Sequence, residues 1–312
     1  MGTVLLAAPR GYCAGVERAV DAVERALEMH GGPVYVRKQI VHNLHVVRDL
    51  ERKGAVFVDE LDEVPGAAVV VLSAHGSSPT VHAEAASRGL ELIDATCPLV
   101  TKVHLEARRF AEDDQTILLI GHAGHEEVEG TSGQAPDRTI LVQSIEEAER
   151  VEVPDPRRLS YLTQTTLSVD ETNDIVGVLR GRFPEIQGPP REDICYATQN
   201  RQDAVKEVVR RADVVLVIGS RNSSNSNRLA EVSRERGTPA YLVDDETEVD
   251  PSWLDGAEVV GLTSGASAPE VLVTRMLEWL AVRGFDRVEQ ALITEESVRF
   301  ALPAGVRATT TS

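Results

Sequence analysis

Three cysteines in 312 residues, with no C-x-x-C pair among them, rule out several common architectures at once. An odd count disfavours a disulfide framework, and the missing pairs exclude zinc-ribbon and ferredoxin spacings. Basic residues are also scarce: 32 Lys and Arg stand against 50 Asp and Glu, for a net charge of -18. Such a surface excludes nucleic acid as a partner, because phosphate backbones need basic patches that release counterions. Any anionic ligand must be held by a local set of donors, against an unfavourable overall field. No apolar run approaches membrane length, and the start MGTVLLAAPRGY lacks the charged region of a secretory signal. The expectation is a soluble, cytoplasmic protein. No Pro/Ser linker or low-complexity segment precedes the tail RATTTS, which is expected to fray.

The chain does hold short Val/Ile/Leu/Ala runs that alternate with longer amphipathic stretches, the pattern of parallel sheets with crossover helices. Twelve strands are expected, starting near Val4, Val34, Ala55, Val69, Leu92, Ile117, Ile140, Leu159, Asp193, Val214, Tyr241 and Val259. Each cysteine follows an apolar or mixed run and precedes a helix-like stretch: VLLAAPRGYC then AGVERAVDAVERAL, LELIDATC then PLVTKVHLEARRF, REDICYATQ then NRQDAVKEVVRRA. The three lie roughly 80 to 100 residues apart, the size of a small domain, which suggests three copies of one unit with four strands each.

A single free cysteine usually acts as a small buried hydrophobe. Three at equivalent places, each leading into a helix N-terminus whose partial charge favours thiolate, point instead to ligands. Three converging thiolates supply three corners of a cubane iron-sulfur cluster, leaving one iron open as a Lewis acid.

Polar clusters sit at six strand ends: QIVHN, LSAHGSS, GHAGHEEVEG, LTQTTLS, VIGSRNSSNSN and LTSGASAPE. They offer His, Ser, Thr and Asn with almost no Lys or Arg. NSSNSNRLAEVSRE and GASAPEVLVTRMLEWL each read as a polar turn feeding a helix, the second with Pro269 in its first turn. Such helix starts bind anions without lysine, although Ser223, Ser224, Asn225 and Ser267 could equally serve as caps. Gly121 and Gly124 make a zinc-binding helix at His122 and His125 a weak reading. His125 is better placed as an anion donor, partly protonated near pH 7 beside phosphate, while His42 and His75 could each be a zinc ligand, a phosphate donor or a structural histidine. His30, His45, His82, His104 and His122 read as structural. Glu126 or Glu127 could deliver a proton through Thr165 or Thr166, and spacing does not choose between the two glutamates.

The ordered motifs PRGYCAGVERA, YVRKQIVHN, SAHGSS, DATCPLVTKVH, GHAGHEEVEGT, TQTTLSVDET, EDICYATQNRQ, GSRNSSNSNRLAE and GASAPE resemble the LytB family of 4-hydroxy-3-methylbut-2-enyl diphosphate reductases along nearly the whole chain. The resemblance implies an α/β fold of three small parallel-sheet domains in a pseudo-threefold, trefoil-like arrangement around a central iron-sulfur cluster. The domains would span 14–97, 98–192 and 193–283, with 1–13 and the 284–312 tail packed around the centre. It further implies a 4Fe-4S cluster held by Cys13, Cys97 and Cys195, with one iron lacking a protein thiolate. His42, His75, His125, Ser223, Ser224, Asn225 and Ser267 would hold the diphosphate. Glu127 would donate the proton, and Thr165 and Thr166 would meet the substrate, Thr165 also relaying the proton. The implied reaction is reductive dehydroxylation of (E)-4-hydroxy-3-methylbut-2-enyl diphosphate to isopentenyl and dimethylallyl diphosphate, the last step of the methylerythritol phosphate route. An external donor such as ferredoxin or flavodoxin would supply electrons, with no nucleic acid or membrane partner. Two departures stand out: Glu126 occupies a position that is proline in some relatives, and Tyr12 replaces a phenylalanine.

Overall fold

Stretches such as Ile117-Leu-Leu-Ile120 are apolar at every position, so as strands they need cover on both faces, and parallel sheets with crossover helices provide it. The computed structural model describes residues 2–307, so most of the tail RATTTS lies outside the described residues. Its strands are β1 (Thr3–Ala8), β2 (Val34–Arg37), β3 (Ala55–Val58), β4 (Val69–Leu72), β5 (Glu91–Asp94), β6 (Thr116–Ile120), β7 (Thr139–Val142), β8 (Leu159–Thr163), β9 (Val214–Ile218), β10 (Ala240–Val243), β11 (Val259–Ser264) and β12 (Arg287–Leu292). The helices are α1 (Ala14–His30), α2 (Leu44–Lys53), α3 (Pro79–Ser87), α4 (Pro98–Glu112), α5 (Glu126–Ser132), α6 (Ile145–Arg150), α7 (Val169–Arg182), α8 (Tyr196–Val208), α9 (Ser224–Glu235) and α10 (Glu270–Ala281). No helix among the described residues is long and apolar enough to cross a membrane.

Three sheets form, with orders β3-β2-β4-β5, β7-β6-β8 and β10-β9-β11-β1-β12, and every ladder is parallel. Each contains the same core, in which the first strand is central, the second lies on one side and the third on the other. The chain reverses direction across the sheet between first and third strands, and ligands of open α/β sheets bind at the carboxyl ends of such a pair. QIVHN and GHAGHEEVEG follow β2 and β6, and LSAHGSS, LTQTTLS, VIGSRNSSNSN and LTSGASAPE include the ends of β4, β8, β9 and β11.

The equal division into four strands per copy gives way to sheets of four, three and five strands. Asp193 does not begin a strand. The chain from Gln187 runs beside β8 with only an isolated bridge to Ser160, and the buried Asp193 carboxylate accepts the Thr163 N–H at 2.9 Å. A carboxylate thus takes the place of a ladder carbonyl. The strand that sequence patterning misses is β12, RVEQAL, whose side chains are half-buried or exposed. It forms on backbone pairing with β1 at a sheet edge, where charged side chains are tolerated.

The chain divides into two compact units, Met1–Glu17 with His42–Asp49 and Tyr196–Arg299, and Arg18–Val41 with Leu50–Cys195 and Phe300–Ser312. In the first unit, alternate residues of β1 serve two cores. Val4 and Leu6 pack with Leu216, Leu262 and Met276 on one face, and Leu5 and Ala7 pack with Val205, Val217 and Leu229 on the other. The second unit has separate clusters around Leu118 and Leu179, around Phe110 and Leu119, and around Leu61 and Val70. Each fully buried aliphatic side chain contributes roughly 1.5 to 3 kcal/mol of transfer free energy, which fixes the strand ends from which the polar loops emerge.

Candidate functional site

In the second unit, β6 ends at Ile120 and the chain turns through Gly121 to His125, the N-cap of α5. The Glu127 N–H donates to His125 Nδ1 at 3.2 Å, so the neutral ring carries its proton on Nε2. Burial pushes the pKa of His125 down to about 4, with the nearby His75 adding to the effect. His75 is likewise held at about 4 by burial. The two rings meet edge to face with centroids 5.9 Å apart. The protein's own surroundings alone therefore keep His125 neutral near pH 7. His125 can still donate through its Nε2–H, whereas the Nδ1–H of His75 goes to Glu126.

The two glutamates of the loop separate cleanly. Glu126 is the first residue of α5 and accepts hydrogen bonds from Ser73 Oγ and His75 Nδ1, each at 3.2 Å. Glu127 is 2% exposed; its Oε1 accepts the Thr165 N–H at 2.5 Å and its Oε2 the Thr165 hydroxyl at 3.2 Å. Burial raises the Glu127 pKa to about 7, although the Thr165 hydrogen bonds pull it down. An acid poised there exchanges a proton at neutral pH. Thr166 Oγ1 instead accepts from Gln164 Nε2 at 2.9 Å, while Gln164 Oε1 holds the His122 N–H at 3.1 Å. Gln164 is a site residue that sequence reasoning passed over; the signal was a polar residue directly after the buried strand β8.

Cys97 is the N-cap of α4 and Cys195 directly precedes α8; both are half-buried and neither is in a disulfide. The Cys97 N–H donates to the Ala74 carbonyl at 2.9 Å, beside His75, and the Cys195 N–H donates to the Thr165 carbonyl at 3.1 Å. Each cysteine is thereby fixed to a loop that carries a candidate site residue.

The first unit repeats this arrangement. Cys13 directly precedes α1, is half-buried and outside any disulfide, and donates its N–H to the Ala266 carbonyl at 3.2 Å, next to Ser267. Ser267 Oγ donates to the His42 carbonyl at 2.8 Å, so it ties two loops together and does not cap α10, whose N-cap is Pro269. His42 Nδ1 accepts from Asn222 Nδ2 at 3.3 Å. Ser223 caps α9 by accepting from the Ser226 N–H, and Ser224 opens that helix. Gly219 and Gly265 let α9 approach the ends of β9 and β11; a Cβ on either would lie 2.2 or 2.0 Å from Ser226 Oγ. Asn225 is 4% exposed, yet among the described residues neither its Oδ1 nor its Nδ2 has a hydrogen-bond partner. Leaving a buried amide unmade costs about 1 to 3 kcal/mol, a cost a polar ligand would remove.

The LytB protein family matches residues 4–281. A 4-hydroxy-3-methylbut-2-enyl diphosphate reductase of Acidothermus cellulolyticus is 64% identical over 305 residues, 97% of this chain and 90% of its own. One from Leifsonia xyli is 63% identical over the same shares. Among solved structures, the E-1-hydroxy-2-methyl-but-2-enyl-4-diphosphate reductase of Plasmodium falciparum superposes with a TM-score of 0.95 at 37% identity, covering 98% of this chain and 96% of its own. A second, of (E)-4-hydroxy-3-methyl-but-2-enyl diphosphate reductase, the terminal enzyme of the non-mevalonate pathway, gives 0.63 at 29% identity over 90% of this chain and 100% of its own. The chain belongs to the LytB protein family.

Proposed function

We propose that the chain reduces (E)-4-hydroxy-3-methylbut-2-enyl diphosphate to isopentenyl and dimethylallyl diphosphate, the last step of the methylerythritol phosphate route. The observation that carries this reading is Glu127: a buried acid with a pKa of about 7, bound twice to Thr165. The overall change breaks the terminal C–O bond, takes up two electrons and two protons, and releases water. Glu127 supplies one proton, which Thr165 Oγ1 can pass to the leaving oxygen; the second goes to one of two carbons, which sets the product.

Cys13, Cys97 and Cys195 would hold a 4Fe-4S cluster. Their fit to such a group rests on three thiols outside disulfides, each at a helix start and each with its backbone N–H already engaged. When bound, the cluster supplies the electrons and, at the iron lacking a thiolate, a Lewis acid for the hydroxyl oxygen. An external one-electron donor such as ferredoxin or flavodoxin would feed it. Half-buried thiols kept reduced suit a cytoplasmic protein. The domains would divide at 14–97, 98–192 and 193–283.

His42, His75, His125, Ser223, Ser224, Asn225 and Ser267 would hold the diphosphate. Neutral imidazole N–H, hydroxyl and amide donors, with the N-terminus of α9, offset phosphate charge without lysine, which suits a chain of net charge -18. Asn225 brings an Nδ2 donor with no partner among the described residues to that task. Anaerobic turnover with and without a reductant tests the reading: consumption of the diphosphate should require reductant. A redox-neutral loss of water in its absence would contradict it.

A further inference from the structure

We propose that Arg18, Lys102 and Arg201 are positioning residues for the three cysteines: each stands near the start of the helix that leaves one cysteine and holds the loop that leads into the next. The inference rests on the reading that Cys13, Cys97 and Cys195 serve one cluster.

The contacts repeat around the chain. Arg18, on the helix after Cys13, donates from one guanidinium nitrogen to the carbonyls of Ala95 and Thr96, at 2.9 and 3.0 Å, just before Cys97. Lys102, on the helix after Cys97, donates to the carbonyls of Arg191 and Glu192 at 2.6 and 3.0 Å and to the Asp193 carboxylate at 3.1 Å, just before Cys195. Arg201, on the helix after Cys195, donates to the carbonyls of Gly11 at 2.7 Å and Tyr12 at 3.3 Å, just before Cys13.

At least one partner in each of these sets is buried or part-buried. Arg201 is wholly buried, and it also reaches the Ala197 carbonyl at 2.9 Å and Glu296 at 3.0 Å. The Asp193 side chain that meets Lys102 is 0% exposed, and Arg18 lies near both Asp94 and the Cys97 thiol. Burying a cation is costly unless it is paired and hydrogen-bonded; Lys102 and Arg201 have both kinds of partner, and Arg18 is held by carbonyls. Bonds from a charged donor to a carbonyl are stronger than neutral ones. Ligands from three separate loops lack the local rigidity of a C-x-x-C loop, so their loops need anchors of this kind, and second-sphere contacts of this sort orient metal ligands.

Site-resolved alkylation tests the cyclic pairing. The full chain without iron is treated with iodoacetamide at about pH 9.5, where thiols are largely ionised and accessibility sets the rate. The three cysteine peptides are followed by mass spectrometry. Arg18→Met should speed Cys97 by about tenfold, Lys102→Met should speed Cys195, and Arg201→Met made with Glu296→Gln should speed Cys13, the other two sites in each case changing less than about twofold. Arg18→Lys and Lys102→Arg should return rates toward wild type. If the Arg201 double variant does not fold, Arg201→Lys, which keeps the charge but loses the fork, should speed Cys13 by a smaller factor. All three cysteines accelerating together, or the targeted one not moving, would overturn the inference. In iron-loaded protein all the Met variants should lose iron to a chelator sooner, and Arg18→Met and Lys102→Met, which each remove a positive charge, should titrate at lower reduction potential. A wild-type chain that takes up no iron would refute the cluster and leave the alkylation result to stand alone.

Discussion

Glu127 and Thr165 are joined by two hydrogen bonds, one from the threonine amide at 2.5 Å and one from its hydroxyl at 3.2 Å. Burial keeps a proton on the carboxyl near neutrality although both hydrogen bonds favour the carboxylate, and the Thr165 hydroxyl stands within reach to relay it. Glu127→Gln keeps the shape and the amide contact but has no acidic proton. Turnover should fall by about a hundredfold to ten-thousandfold, with the visible spectrum of the iron-loaded protein unchanged. Rates within a factor of two of wild type would remove Glu127 from the proton path.

The pH dependence has a definite sign. Glu127 is protonated below a pKa of about 7, so kcat should decline as pH rises through 7. His75 and His125, held at about 4, should add no inflection between pH 5 and 9. A pH series of kcat on wild type and Thr165→Val checks this, the variant losing the hydroxyl bond that lowers the glutamate pKa and so moving the limb to higher pH.

The same acid leaves a mark on stability. Its pKa is higher in the folded chain than in the unfolded one, so its contribution is intact below the unfolded value of about 4.5 and is lost as pH rises through about 7. The full cost of ionising it in the folded protein is about 3 kcal/mol. Glu127→Gln should therefore be more stable than wild type above pH 7, and the difference should vanish near pH 4, as read from urea unfolding at both pH values.

Asn225 and Ser223 make contrasting claims on substrate. The Asn225 amide has no protein partner to lose, so Asn225→Ala should raise KM by about tenfold or more with little loss of stability. Ser223 also caps α9, so Ser223→Ala should raise KM and in addition lower stability by about 1 kcal/mol. Steady-state kinetics beside thermal unfolding separates the two.

Glu126 stands where some relatives carry proline, and here it holds Ser73 and His75. Proline is permissible at the first position of a helix, so the backbone of α5 accepts either residue. Glu126→Pro should leave the fold intact and lower kcat/KM by about threefold to tenfold through a less firmly oriented His75. An unchanged kcat/KM would show that the ring is held without it.

Every strand start expected from the sequence falls within one residue of an observed strand, save Asp193. Runs such as Val214–Ile218, apolar throughout, announce a buried parallel strand without tertiary information. Asp193 misled because the segment around it, REDIC, follows β8 in space through a side-chain contact that no periodicity encodes. β12 escaped because an edge strand needs backbone pairing more than apolar side chains. At the candidate site, residue types and order were legible, and the choice between Glu126 and Glu127 was not. That choice depends on which carboxylate the short helix α5 turns toward Thr165, and neighbouring positions of a helix point in different directions. The neutral state of His75 and His125 was also hidden, because it comes from burial produced by distant segments.

Iron and acid-labile sulfide counts on anaerobically purified wild type and its single Cys13→Ser, Cys97→Ser and Cys195→Ser variants bear most directly on the account. About four of each per chain in wild type, with marked loss in all three variants, is the expected result. A colourless wild type, or any one serine variant that keeps its full complement of iron and sulfide, would contradict it.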